Sequence, residues 1–132
     1  MAIWQVQFDL IFKDQNSLIS NAIITDALAS AFEKQKSWSQ DIDQYGRLDN
    51  SCIEVVKEND TVVEINVRID LRNVTMNIIK AIVSFAKVNN LKILYNGTVH
   101  DACIEEIKKI IIESKAYSYV SDPPAFLDRV SN

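Results

Sequence analysis

Residues 61–72, TVVEINVRIDLR, carry the cleanest alternation in the chain. Val63, Ile65, Val67, Ile69 and Leu71 fall on one side of an extended backbone, and Glu64, Asn66, Arg68, Asp70 and Arg72 fall on the other, because successive strand side chains point to opposite faces. A strand that is apolar on one face and charged on the other belongs to an antiparallel sheet covered on one side only. The charged side is therefore predicted to be the open one. Arg68, Asp70 and Arg72 should emerge there together, paired or hydrated.

Upstream, residues 51–56 are again rich in β-branched side chains, and Glu58, Asn59 and Asp60 between the two runs read as a hairpin turn. Near the N-terminus, Trp4, Val6, Phe8, Leu10 and Phe12 alternate with Gln5, Gln7 and Asp9, giving a first strand with one polar face. A helix capped by Asp14 or Asn16 should follow, with Ile24, Ala27, Leu28, Ala31 and Phe32 as its apolar stripe and an end near Gln35. Downstream, Asn73 is a plausible cap for a helix burying Ile78, Ile79, Ile82, Phe85 and Ala86, and residues 91–95 read as a short strand. Asn96 and Gly97 turn the chain, and Asp101 is placed to cap a helix burying Ile104, Ile107, Ile110 and Ile111. Residues 117–120 suggest an edge strand, and Asp122 before Pro123 opens a last helix.

The expected order is strand, helix, hairpin, helix, strand, helix, without repeat, low-complexity tract or linker. Two βαβ halves joined in this way give an α+β, ferredoxin-like βαββαβ sandwich with an additional C-terminal helix. Its sheet is antiparallel, with the first and third predicted strands in the centre, both helices on one face and the other face open.

With 132 residues, a single domain spanning 1–132 is expected. Lys and Arg number 14 against 18 Asp and Glu, a net charge of −4, which opposes the phosphate attraction that nucleic-acid binding needs. No apolar run reaches the roughly 18 residues of a membrane span, and MAIWQVQFDLIF has no basic leader. A cytoplasmic protein with neither a nucleic-acid nor a membrane partner is expected. Cys52 and Cys103 are far apart, outside any CxxC pattern, and read as two reduced, partly buried thiols.

No catalytic, metal or cofactor motif stands out. Asp41, Asp43, Gly46 and Asp49 fall on positions of a calcium loop, but its twelfth position, which needs a bidentate carboxylate, is Cys52. His100 beside Asp101 has the elements of a base and its orienter, with no nucleophile near in sequence. Two glycines in the whole chain cannot build a glycine-rich phosphate cradle. The open face is more informative. There Arg68 either pairs with Asp9 or Asp70 and does little, or presents a guanidinium fork to a carboxylate of a partner. The second clue is the stretch 36–50, longer than the usual connection of about four to six residues, which carries Trp38, Asp41, Asp43 and Tyr45. Such aromatic residues either anchor interfaces or lid a core edge.

From Trp38 to Arg72, WSQDIDQYGRLDNSCIEVV followed by VRIDLR, with SDPPAFL at 121–127, resembles small acidic bacterial proteins of uncharacterised function, some of them similar to immunity proteins encoded beside toxins. The resemblance implies a non-enzymatic protein-binding module, an immunity-type inhibitor of a basic, toxin-like partner. The alternative expectation is an ACT-like small-molecule sensing domain, which shares this element order. Such domains bind their ligand at a glycine-bearing loop after the first strand, and here that loop, Lys13–Ser17, has no glycine. A homodimer through the open face or an edge strand is a further expectation.

Overall fold

The computed structural model describes residues 3–12, 26–59, 61–120 and 122–130. The elements are β1 (Gln5–Phe12), α1 (Asp26–Ala31), β2 (Lys34–Gln35), β3 (Ile42–Gly46), β4 (Cys52–Glu58), β5 (Thr61–Asp70), α2 (Met76–Val88), β6 (Leu91–Tyr95), β7 (Thr98–His100), α3 (Ile104–Glu113), a 3-10 turn (Lys115–Tyr119) and α4 (Pro123–Arg129). The strands form one antiparallel sheet of seven, ordered β2-β3-β4-β5-β1-β6-β7. The strand with the strongest alternation, β5, is the middle one.

β5 is paired along both edges, with Arg68 opposite Cys52 on β4 and opposite Gln7 on β1. The β4–β5 hairpin turns through Asn59, whose φ of 53° is a left-handed value that asparagine tolerates. One expectation fails here. The register shifts between Val56 and Lys57, and an irregularity of this kind reverses which face each residue before it presents. Val62 is consequently buried, and Val63 is 46% exposed instead of sharing the inner face of Ile65, Val67 and Ile69.

Three short strands enlarge the sheet beyond the four of the expected βαββαβ unit. β3 forms inside the stretch read as a connection, because Ile42 and Tyr45 find buried positions along β4. β2 occupies the place expected for the helix end: α1 stops at Ala31, not near Gln35. β7 returns along β6 through Asn96 (φ 49°) and Gly97 (φ 75°), the two left-handed residues of a tight hairpin turn. Residues 117–120, expected to add an edge strand, lie instead in and beside the 3-10 turn, where the Ser114 hydroxyl accepts from the Tyr117 N–H. A local side-chain bond of this kind competes with strand pairing. The caps also differ in part. Thr75, not Asn73, accepts from the Ile78 N–H at the start of α2, and α3 begins after Cys103, without a cap from Asp101. Asp122 caps α4 as its position before Pro123 suggests. Asp14, Asn16 and Ile24 lie outside the described residues.

The inner sheet face, including Val6, Phe8, Leu10, Ile53, Val55, Ile65, Val67, Ile69 and Ile93, shares one core with Leu28 and Phe32, with Ile79, Ile82 and Phe85 of α2, and with Ile107, Ile110 and Ile111 of α3. Each such side chain contributes roughly 2 kcal/mol by leaving water, so the helices are held by their apolar stripes. No helix among the described residues is long and apolar enough to cross a membrane.

Gly46 ends β3 at φ 85°, and a Cβ added there would collide with the Ser51 carbonyl oxygen and press on the Phe32 ring. Gly97 has the same handedness with nothing within 4 Å. Urea denaturation should therefore show Gly46→Ala losing about 2 kcal/mol or more, while Gly97→Ala loses only the backbone penalty of about 1 kcal/mol.

Candidate functional site on the open sheet face

The register aligns side chains across the polar face in rows. One row crosses five strands as Gln44, Glu54, Asn66, Asp9 and Leu94, and ends at Val99 on β7. The next carries Gly46, Cys52, Arg68 and Gln7. Arg68 and Asn66, on the middle strand, stand at the centre. They are half-buried along with Gln7 and Asp9.

The trio Arg68, Asp70 and Arg72 does not emerge together. Asp70 is fully buried, and its carboxylate accepts from the Arg72 backbone N–H at 2.9 Å, from Arg72 Nε at 3.1 Å and from Nη2 at 2.8 Å. The Ser51 hydroxyl accepts the Asp70 N–H at 2.9 Å. Arg72 lies beyond the end of β5 and folds back, its guanidinium carbon 3.9 Å from the centre of the Trp4 ring. The hydrogen bond to Asp70 raises the Arg72 pKa above its ordinary value, against a smaller opposing effect of desolvation. Asp70 has no surface to offer a partner, and Arg72 belongs to the end of the sheet.

Arg68 consequently loses both partners that sequence proximity offered. Asp70 is engaged by Arg72. Asp9 is engaged by Asn66, whose amide, oriented with its nitrogen toward the acids, donates to Asp9 Oδ1 at 2.7 Å and to Glu64 Oε1 at 3.1 Å. Among the described residues Arg68 has no ion pair or hydrogen bond, and its Nε is buried without an acceptor. Burial raises the pKa of Asp9 above the ordinary carboxylate value, so this acid is held at a cost and is sensitive to what approaches it. Beside Arg68, directly across the β4–β5 pairing, lies Cys52, whose thiol is pushed up to about 11 by burial, despite the opposing charge of Arg68.

The stretch 36–50 borders this face. Trp38 is 72% exposed, and its Nε1 donates to Glu54 Oε2 at 3.3 Å, so the indole stands beside the row that contains Asn66. Gln5 Nε2 donates to the Leu48 and Asn50 carbonyls at 3.0 and 2.8 Å and fastens the following turn to β1. The other candidates from this stretch are placed differently. Asp43 pairs with Lys57 at 2.7 Å. Asp41 is exposed, its carbonyl accepting the Lys57 N–H. Tyr45 is buried in the core, where desolvation, then Asp43, raises its pKa against the pull of Lys57. Among the described residues no group of three or more His, Cys, Asp or Glu is placed to hold a metal ion. His100 Nδ1 lies 3.0 Å from Glu106 Oε2, and Asp101 faces Lys92 at 3.5 Å, so the neighbours in sequence do not form a dyad. The Lys13–Ser17 loop lies outside the described residues.

Trp4, Glu54 and Asn66 complete the arrangement and were not singled out by the sequence. Asn66 had a signal, since it alternates in phase with Arg68. The chain matches no protein-family model, no curated protein and no solved structure.

The thiols provide a direct check on this face. Cys52 is fully buried with its thiol near 11, whereas Cys103 is half-buried. A thiol reagent at neutral pH should label Cys103 alone in the native protein and both residues in urea, read by mass spectrometry after digestion. Native labelling of Cys52 at the Cys103 rate would contradict the burial of Cys52 beside Arg68.

Proposed function

We propose that this chain is a non-enzymatic protein-binding module that docks its partner on the open sheet face. Its core is read as ferredoxin-like, with β1, α1, β4, β5, α2 and β6 forming the βαββαβ unit and the remaining elements extending it. The observation that carries the reading is Arg68: a guanidinium at the centre of an antiparallel face, half-buried, with no counter-ion among the described residues. A buried, unpaired charge is costly, and a carboxylate brought by a partner would meet a donor fork whose own acidic neighbours are already engaged. Trp38 and Val99, exposed on either side, supply the apolar contact that a charged centre lacks.

The net charge of −4 favours a partner that is basic overall, attracted at long range and seated by one acidic side chain on Arg68. The narrower form of the proposal is an immunity-type inhibitor of a basic toxin, which rests on the resemblance of residues 38–72. A second copy of the chain is the competing occupant, and gel filtration of the purified protein distinguishes it.

Affinity capture with the wild-type chain, followed by titration of the captured partner, tests the proposal. Arg68→Glu should weaken binding by more than about tenfold and Trp38→Ala by a comparable factor, while Lys109→Glu on the outer side of α3 should leave it unchanged. Because Arg68 has no bond to lose among the described residues and its Nε is buried without an acceptor, Arg68→Ala should not lower the unfolding free energy by more than about 0.5 kcal/mol. Removal of the unpaired donor acts in the stabilising direction. Equal capture by wild type and Arg68→Glu would overturn the proposal.

A further inference from the structure

A separate cavity of about 240 Å³ lies at the end of the sheet, between the turn after β5, the 3-10 turn and α4. Trp4, Tyr119 and Phe126 contribute aromatic walls, and the charged groups at its edge are Arg72, Arg129 and Asp122. Arg72 is already paired with Asp70, so the guanidinium of the lining without a carboxylate partner among the described residues is that of Arg129. The two arginines are also fixed to the same peptide unit: Arg129 Nη2 donates to the Leu71 carbonyl at 2.9 Å, and Arg72 is the next residue.

Both arginines are held by one edge and leave the other unused. Arg72 spends Nε and Nη2 on Asp70, with a long contact from Nη2 to the Asp49 carbonyl at 3.5 Å, and its guanidinium carbon lies over the Trp4 ring. Its Nη1 has no partner among the described residues, nor do Nε and Nη1 of Arg129. Asp122 is engaged as the cap of α4, accepting the Ala125 N–H at 3.2 Å. Trp4 Nε1 is buried with no acceptor among the described residues, so the indole is held by packing and by the Arg72 guanidinium over its ring. That costs a donor its hydrogen bond, which a purely structural corner could avoid with an apolar residue.

We propose that this cavity is a binding site for a small organic carboxylate with a compact aromatic or branched apolar body. The carboxylate would bridge the free edges of Arg72 and Arg129, and the body would lie against Trp4, Tyr119 and Phe126. The arginines are pre-positioned by Asp70 and by the Leu71 carbonyl, so little side-chain freedom is lost on binding. The volume suits a single-ring or short-chain acid, below the usual range of about 300–1,000 Å³ for sites that take drug-sized molecules. The lining of the cavity shares no residue with the rows around Arg68.

The test uses benzoate, phenylacetate and isobutyrate, each beside its neutral primary amide, with the full chain carrying Trp38→Phe so that Trp4 is the only indole. Carboxylate binding is read by Trp4 fluorescence and by the Trp4 indole N–H resonance. At least one acid should bind with a Kd below about 1 mM, and its amide should bind roughly tenfold or more weakly. Arg129→Gln, a surface change, should weaken the acid by about tenfold, and Ala125→Trp, which fills the mouth, should abolish binding while both arginines remain. The proposal is overturned if no acid binds below about 1 mM, if the amides bind as well as the acids, or if Arg129→Gln and Ala125→Trp bind like the parent protein.

Discussion

The carboxylate of Asp70 is wholly removed from solvent at the end of the central strand, and a buried carboxylate must be paired and hydrogen-bonded to remain charged. Two arginines flank it in sequence. It takes Arg72, in a contact that uses both carboxylate oxygens, the backbone N–H and two guanidinium nitrogens. Geometry explains the choice. Arg68 stands two residues back on the same strand, where alternate residues share a face without bending toward one another, whereas the chain turns after Asp70 and brings Arg72 back to it.

Two consequences follow from that one pairing. Arg68 stands without a counter-ion among the described residues at the middle of the open face, which is the basis for reading that face as a docking surface. Arg72 is held over the Trp4 ring, which turns a corner of the fold into one wall of a cavity lined by two guanidiniums. A different choice by Asp70 would remove both features: Arg68 would be neutralised, and Arg72 would become an ordinary mobile side chain at the surface.

Much of the sheet was legible because period-two alternation is strong where one face is buried. β1 and β5 were visible in this way, β4 through its β-branched side chains, β6 as a short apolar run, and α2 through its amphipathic stripe. β3 was hidden because WSQDIDQYGRLDN reads as a polar connection, and only Ile42 and Tyr45 carry the burial signal. β7 is three residues long, too short for periodicity to register. Val63 went to the wrong face because a register shift leaves no mark on composition. For the site, alternation placed Arg68 outward correctly, but which acid meets which base depends on register and on the path of the turn after Asp70. Neither is encoded in spacing along the chain, so the pairing of Asp70 with Arg72 and the contact of Arg72 with Trp4 required coordinates.

The choice made by Asp70 is open to direct measurement by two double-mutant cycles in urea, one joining Asp70→Asn with Arg72→Met and one joining Asp70→Asn with Arg68→Met. The expected result is a clear favourable coupling between Asp70 and Arg72 and none, within error, between Asp70 and Arg68. A coupling to Arg68 equal to or greater than that to Arg72 would contradict the arrangement, because Arg68 would then already possess the counter-ion that a partner is needed to bring.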